Sequence, residues 1–325
     1  MLPDMALFIF LFYCFSVVFL LEASEDVDVN SVKIMFYYGP SYKDFELFDL
    51  NDGASLLKHP KFIHNHTTLF MPGYTNHRIN SITVFMARSY LKGNFSNFLN
   101  LDWEKLANGD YTSAQQNVFK LSEKVAEFII DLFNLGMDED SFSMIGQSMG
   151  ARGIGVIARD VIIRSNGSRI VSRITPLDPS NEEAHDSFIL PVIDKSFAKF
   201  VDVIHSDSGG VGTRKAMGHA NFWPNNGIAL QPGCPDVNQS KYCSHTKATA
   251  YWAESVAHKK PILAFPSGSY EELLINGIEK YVNRAVPMGI QCPMSTRGDY
   301  YLQHNTTFGH CYFIVRTFGR IPCEI

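Results

Sequence analysis

Ser143-Met144-Ile145-Gly146-Gln147-Ser148-Met149-Gly150-Ala151-Arg152-Gly153-Ile154-Gly155 sets a Gly-x-Ser-x-Gly turn between an apolar, strand-like run and a helix-like run that continues through Arg159. Strand, sharp turn and helix, in that order, are what a nucleophile elbow requires. Glycine flanks Ser148 at 146 and 150 because larger side chains in so tight a turn would collide with the neighbouring strand and helix. Ser148 is then expected to project from the C-terminal edge of a sheet. Taken alone, the pentapeptide fits a plain glycine-bearing turn equally well. The glycines at 150, 153 and 155 lack the G-x-G-x-x-G order of a dinucleotide loop.

Outward from this turn, strand-like and helix-like segments alternate. Strands are expected at Ser31 to Tyr38, Thr67 to Met71, Phe98 to Trp103 and in the run entering the turn, then at Arg169 to Leu177, Lys199 to Ile204, Tyr300 to Gln303 and Tyr312 to Arg316. Helices are expected between Tyr74 and Tyr90, from Thr246 to Ala257, and from Ala114 to Phe133. In the last of these, Val118, Leu121, Val125, Phe128, Ile129 and Leu132 recur at helical spacing. Such alternation predicts an α/β fold, a largely parallel central sheet with helices on both faces. The chain shows no repeat, low-complexity tract or linker, so one domain over 24–325 is expected after a leader at 1–23.

Composition narrows the function classes. The chain has 325 residues, 46% of them apolar, and a formal net charge of -5, which becomes about -3 if Asp4 and Glu22 leave with the leader. Nothing in this balance favours nucleic acid. The apolar run Met5 to Leu21, followed by Glu22-Ala23-Ser24, reads as a signal peptide with a small-residue cleavage site. Asp4, standing where a basic residue is usual, and the length of the run also fit an uncleaved anchor. N-x-[ST] sequons at Asn65, Asn94, Asn166, Asn238 and Asn305 point to a secreted, glycosylated chain. Five cysteines follow the leader without paired C-x-x-C knuckles, so disulfides fit better than a metal site, and no metal or cofactor is expected. Cys234 with Cys243 would close a short loop, Cys292 with Cys311 would link a terminal hairpin, and Cys323 is left over.

A serine hydroxyl becomes a nucleophile at neutral pH only when a base takes its proton, and an acid must hold that base in one tautomer. Asp178 ends the apolar strand 169–177 and precedes Pro179, which suits the acid, although an aspartate there also suits a turn or a cap. Two histidines compete for the base: His245, just after Cys243 in a loop before a helix, and His205, at the end of the strand 199–204. Position alone favours His245 without deciding the matter.

The chain resembles the pancreatic-lipase family of secreted serine esterases, which includes insect lipases and venom phospholipases of the A1 class. The segments that carry the resemblance run from about Lys33 to Gly309. They are Leu101-Asp102-Trp103, the elbow, Leu177-Asp178-Pro179, Phe200 to Asp207, Gly218 to Gly227, Gln231 to Cys234, Cys243-Ser244-His245, Tyr251 to Ser255 and Arg297 to Leu302. The resemblance implies an α/β-hydrolase fold, Ser148, Asp178 and His245 as the catalytic triad, and noncatalytic places for His205 and His219. It also implies an oxyanion hole formed by the backbone N–H groups of Met149 and Tyr74. Three residues depart from the family pattern. Pro72 stands in a usual His-Gly pair, Gln147 replaces the histidine before the serine, and Arg152 replaces another after it.

The same resemblance implies a substrate. Family triacylglycerol lipases carry a long lid between the cysteines matching Cys234 and Cys243, whereas only the eight residues Pro235 to Tyr242 lie between them in this chain. Short lids accompany phospholipase A1 activity in the family, so hydrolysis of the sn-1 ester of phospholipids is expected, with a triacylglycerol lipase or galactolipase as the alternative. The expected partners are a phospholipid or acylglycerol and a transient lipid surface. No further β-sandwich domain is expected. The departures around the elbow also fit a catalytically silent lipid-binding or yolk-type protein on the same fold.

Overall fold

The structure, a computed structural model, describes residues 28–75, 81–93, 96–184, 187–236, 238, 242–258 and 260–305. Eleven strands occur among them: β1 (Lys33–Tyr37), β2 (Phe45–Asp49), β3 (Thr67–Met71), β4 (Asn97–Asp102), β5 (Phe142–Gln147), β6 (Val171–Leu177), β7 (Ala198–Ile204), β8 (Ala220–Pro224), β9 (Ile262–Pro266), β10 (Val286–Met288) and β11 (Gly298–Leu302). The helices are α1 (Gly53–Lys58), α2 (Ser81–Gly93), α3 (Glu104–Ala107), α4 (Tyr111–Asn134), α5 (Met149–Arg164), α6 (Cys243–Ala257) and α7 (Tyr270–Asn276).

The strands form one sheet in the order β10-β9-β11-β8-β7-β6-β5-β3-β4-β1-β2. The run from β4 to β11 is parallel throughout. Antiparallel pairs close both margins, with β1 on β4 and β2 on β1 at one side, and β9 on β11 and β10 on β9 at the other. The chain therefore folds around a largely parallel central sheet, as the alternation of segments predicted, in the α/β-hydrolase arrangement that the family resemblance implied. β4 lies to one side of β3 and β5 to the other, so the connections diverge there, and crevices at the carboxyl ends of such strands are where ligands bind in open α/β sheets.

Two cores cover the sheet, and strand alternation divides the side chains between them. Ile34, Phe36, Leu69, Met71, Met144 and Ile174 pack with α4 and α5 on one face. Met35, Tyr37, Phe70, Ile145, Leu177 and Phe222 pack with α2 and α6 on the other. Successive strand side chains point to opposite faces, so a parallel strand covered on both sides reads as a continuous apolar run. α4 begins where Asp110 accepts from the Ser113 amide at 2.9 Å and stops at Gly136, whose φ of 102° closes the last turn.

Several expectations need adjustment. α6 starts at Cys243 rather than Thr246, so His245 lies in the first helical turn and not in a loop before it. The disulfide anchors the chain at that point and the helix begins on it. Strands β2, β8, β9 and β10 went unread, three of them at the antiparallel margins. The expected leader, the sequon at Asn94, Cys311, Cys323 and the strand 312–316 lie outside the described residues.

Candidate active site

Ser148 sits between β5 and α5 with φ 59° and ψ -120°, a conformation that costs a non-glycine residue of order 1–3 kcal/mol. The glycines around it are required by close approach. A side chain on Gly146 would strike the Gly150 carbonyl, and one on Gly150 would strike the carbonyls of Met71 and Pro72 at the end of β3. The turn is thus wedged between its own helix and the neighbouring strand. Its backbone is also tied to the next strand: the Ser148 amide donates to the Leu177 carbonyl at 3.1 Å, and its carbonyl accepts from the Ser180 amide at 3.2 Å. Asp178 lies between those two partners.

Asp178 is fully buried and has a positive φ of 43°. Its Oδ2 is 2.6 Å from His245 Nδ1, while its Oδ1 accepts from the amides of Ser206, at 2.7 Å, and Asp207, at 3.0 Å. The two amides fix the carboxylate, leaving Oδ2 for the imidazole. With Nδ1 donating to this carboxylate, Nε2 of His245 is an acceptor; it is buried and has no hydrogen-bond partner among the described residues. Ser206 also holds the helix that carries the histidine: its hydroxyl accepts from the Ala248 amide at 3.1 Å and donates to the His245 carbonyl at 3.4 Å.

His205 is not paired with Asp178. It is fully buried, stacked flat on Trp223 with ring centroids 3.8 Å apart, and burial pushes its pKa down to about 4. His219 is likewise a packing residue; its Nδ1 accepts from the Val201 amide at 3.0 Å and its ring stacks on Phe200. Asp178, Asp207 and His245 offer ligand atoms within 4.8 Å of one another. However, the Asp178 oxygens take the contacts just given and Asp207 Oδ2 accepts from the Val211 amide, so the group reads as a hydrogen-bond network.

Met149 opens α5, so its N–H is among those with no acceptor inside the helix, and the helix dipole places partial positive charge there. The segment carrying Tyr74 is fastened from beneath. Trp103 Nε1 donates to the Pro72 carbonyl at 3.0 Å, the Thr75 amide to Ala107 at 3.3 Å, and the Tyr74 hydroxyl to the Gly109 carbonyl at 2.5 Å. A side chain on Gly73 would meet Gln147 Oε1 at 2.5 Å and Ser148 Cβ at 3.0 Å, so this segment passes directly against the elbow. Pro72 presents its carbonyl to Trp103, and Gln147 is buried beside Gly73. Sequence reading noted Trp103 as part of a motif and missed its task, as it missed that of Ser206.

Cys234 and Cys243 form a disulfide with Cα atoms 5.6 Å apart. Cys292 is a buried thiol with no disulfide partner among the described residues, and burial pushes its pKa up to about 12. Asn65, Asn166, Asn238 and Asn305 are exposed, as glycan attachment demands. Tyr242, Ile228 and Leu230 at the disulfide loop, and Ile189 and Val192 after β6, are exposed apolar side chains. Among the described residues no helix is long and apolar enough to cross a membrane.

A sequence profile for the family described as Lipase matches residues 20–307. Phospholipase A1 member A of Rattus norvegicus is 32% identical over 210 residues, covering 63% of this chain and 44% of that protein. Lipase member H of Oryctolagus cuniculus is 33% identical over 61% of this chain and 43% of its own length. Pancreatic lipase-related protein 2 of Cavia porcellus is 27% identical over 78% and 58%. The chain therefore spans about half the length of these relatives. A solved alpha/beta hydrolase from a Medee basin deep-sea metagenome library aligns over 56% of this chain and 68% of its own, with 16% identity and a TM-score of 0.34, too weak a likeness to add to the fold argument.

Proposed function

The chain belongs to the Lipase family, and from that premise we propose that it is a phospholipase A1 that hydrolyses the sn-1 ester of phospholipids through Ser148, His245 and Asp178. The observation that carries this reading is the 2.6 Å contact between buried Asp178 and His245 Nδ1, which leaves Nε2 free as a base on the edge where the strained Ser148 turn stands.

In the first step Ser148 Oγ attacks the ester carbonyl while His245 Nε2 takes the hydroxyl proton. Asp178 holds the imidazole in the required tautomer and stabilises its positive charge. The developing oxyanion is met by the N–H groups of Met149 and Tyr74, and losing one such donor generally costs about 3–4 kcal/mol of barrier. His245 then returns the proton to the leaving lysophospholipid oxygen, giving an acyl-enzyme. Water, deprotonated by the same histidine, attacks the acyl carbon; collapse releases the fatty acid and restores the serine proton.

Two features support a phospholipid over a triacylglycerol. The disulfide joins residues only nine apart, leaving too few between them to roof an apolar cleft. One of the relatives named above is a phospholipase A1 by name, while the likeness to a pancreatic lipase-related protein carries the alternative of a triacylglycerol lipase. The reading further takes the chain as secreted, with glycans at the exposed sequons and lipid contact through the exposed apolar residues around the disulfide loop. A serine-directed organophosphonate tests the nucleophile. Mass spectrometry should find one adduct, on Ser148, with hydrolysis lost in proportion to labelling. Full labelling with activity retained refutes the assignment, and no labelling favours a silent lipid-binding protein.

A further inference from the structure

Arg152 replaces a histidine of the family pattern, and its surroundings are unusual for a charged residue. It is fully buried in α5, four residues beyond Ser148 and so on the same side of the helix. Its Nε and Nη2 both donate to the Ser180 carbonyl, at 3.0 and 2.7 Å. Nη2 also pairs with Glu182, Nη1 reaches the Pro191 carbonyl at 3.5 Å, and the guanidinium lies over the Phe188 ring, 5.4 Å from its centroid. Glu182 is held in turn by Lys215 Nζ at 2.5 Å.

Ser180, Glu182, Phe188 and Pro191 all lie in the segment that begins with Asp178. Its first residues carry the acid, and Ser180 is the residue whose amide donates to the Ser148 carbonyl. We propose that Arg152 is a positioning residue: through the Ser180 carbonyl it locks the Asp178–Glu182 turn to the helix that presents Ser148, setting nucleophile and acid in register. The proposal rests on the assignment of Ser148 as nucleophile and Asp178 as acid. A planar fork is needed because two N–H groups must converge on one carbonyl while a third contact engages a carboxylate; an ammonium has the charge without that fixed geometry. Burial opposes the guanidinium charge, and the Glu182 carboxylate offsets part of that opposition. Burial raises the Glu182 carboxyl as well, but its hydrogen bond with Lys215 and the pull of Arg152 bring it down to about 2.

The test uses the full chain with a soluble short-chain ester, with kcat counted per organophosphonate-titrated site so that unfolded protein does not enter the rate. Arg152→Lys should lose about tenfold in kcat with KM within twofold, the size expected of a small displacement between reacting groups. Glu182→Gln leaves both donors on the Ser180 carbonyl and should keep kcat within twofold. If Arg152→Lys does not fold, the double variant Arg152→Gln with Glu182→Gln removes the buried charges together and should show the same tenfold loss. Wild-type kcat per site in Arg152→Lys or the double variant overturns the proposal, as does an equal loss in Glu182→Gln. Ser148→Ala runs beside them. If it keeps activity, the nucleophile assignment fails; if it is inactive while the Arg152 variants are unimpaired, only the positioning role fails.

Discussion

Ser206 shows how a single residue links two parts of the site. Its amide holds Asp178 Oδ1, and its hydroxyl joins the Ala248 amide and the His245 carbonyl in the first turn of α6. Ser206→Ala leaves the buried Ala248 N–H without this acceptor, a loss of about 1–3 kcal/mol in stability. It should also lower kcat about fivefold with little change in KM, because the helix turn bearing the imidazole loosens while the ester-binding surface stays. Ser206→Thr, which keeps the hydroxyl, should restore most of the rate; a Thr variant as slow as Ala would show that the hydroxyl has no such role. This link was not legible in the sequence. Ser148 and Asp178 could be proposed from the elbow turn and a strand end, and His245 was preferred to His205 through the family resemblance, because side chains that carry proton chemistry are distinctive types at recognisable places in the chain. A serine acting through its amide and a hydrogen-bonded hydroxyl leaves no periodic or compositional trace. Arg152 was visible only as a departure from the family pattern; its burial and its hold on the Ser180 carbonyl needed coordinates.

At the scale of elements, the long parallel strands were legible because β3, β5, β6 and β7 are buried on both faces and read as apolar runs. α4 was legible because its buried positions recur at helical spacing over 24 residues. β2, with an exposed side to its burial pattern, and the three-residue β10 carry too little signal to separate from loops. The start of α6 was misread by three residues because the disulfide, more than local propensity, sets where that helix begins. The bond has a predicted consequence. Replacing both Cys234 and Cys243 by serine frees a short loop and should cost about 2–3 kcal/mol of stability. Because His245 lies two residues past Cys243, kcat should fall as well, measured beside thermal unfolding. Unchanged stability and rate would mean that the first turn of α6 is held by Ser206 and the sheet alone.

Across the whole molecule, Ser148, Asp178 and His245 belong to three elements separated by long stretches of chain, and the parallel sheet brings their ends to one edge. The sequence foresaw that edge from the order of strands and helices. It did not foresee the antiparallel margins, since nothing in a segment's composition states which neighbour it will join. Exposed apolar side chains occur at the disulfide loop and in the segment after β6, and the proposed function assigns lipid contact to them. The central claim is that this edge cleaves phospholipids at sn-1. The most direct measurement is product analysis on phosphatidylcholine carrying different acyl chains at sn-1 and sn-2, with triacylglycerol in parallel, for wild type and Ser148→Ala. The account predicts that wild type releases the sn-1 fatty acid and leaves 2-acyl lysophospholipid, with little turnover of triacylglycerol and none by Ser148→Ala. Release from triacylglycerol alone, release of the sn-2 chain, or equal turnover by the two proteins would contradict it.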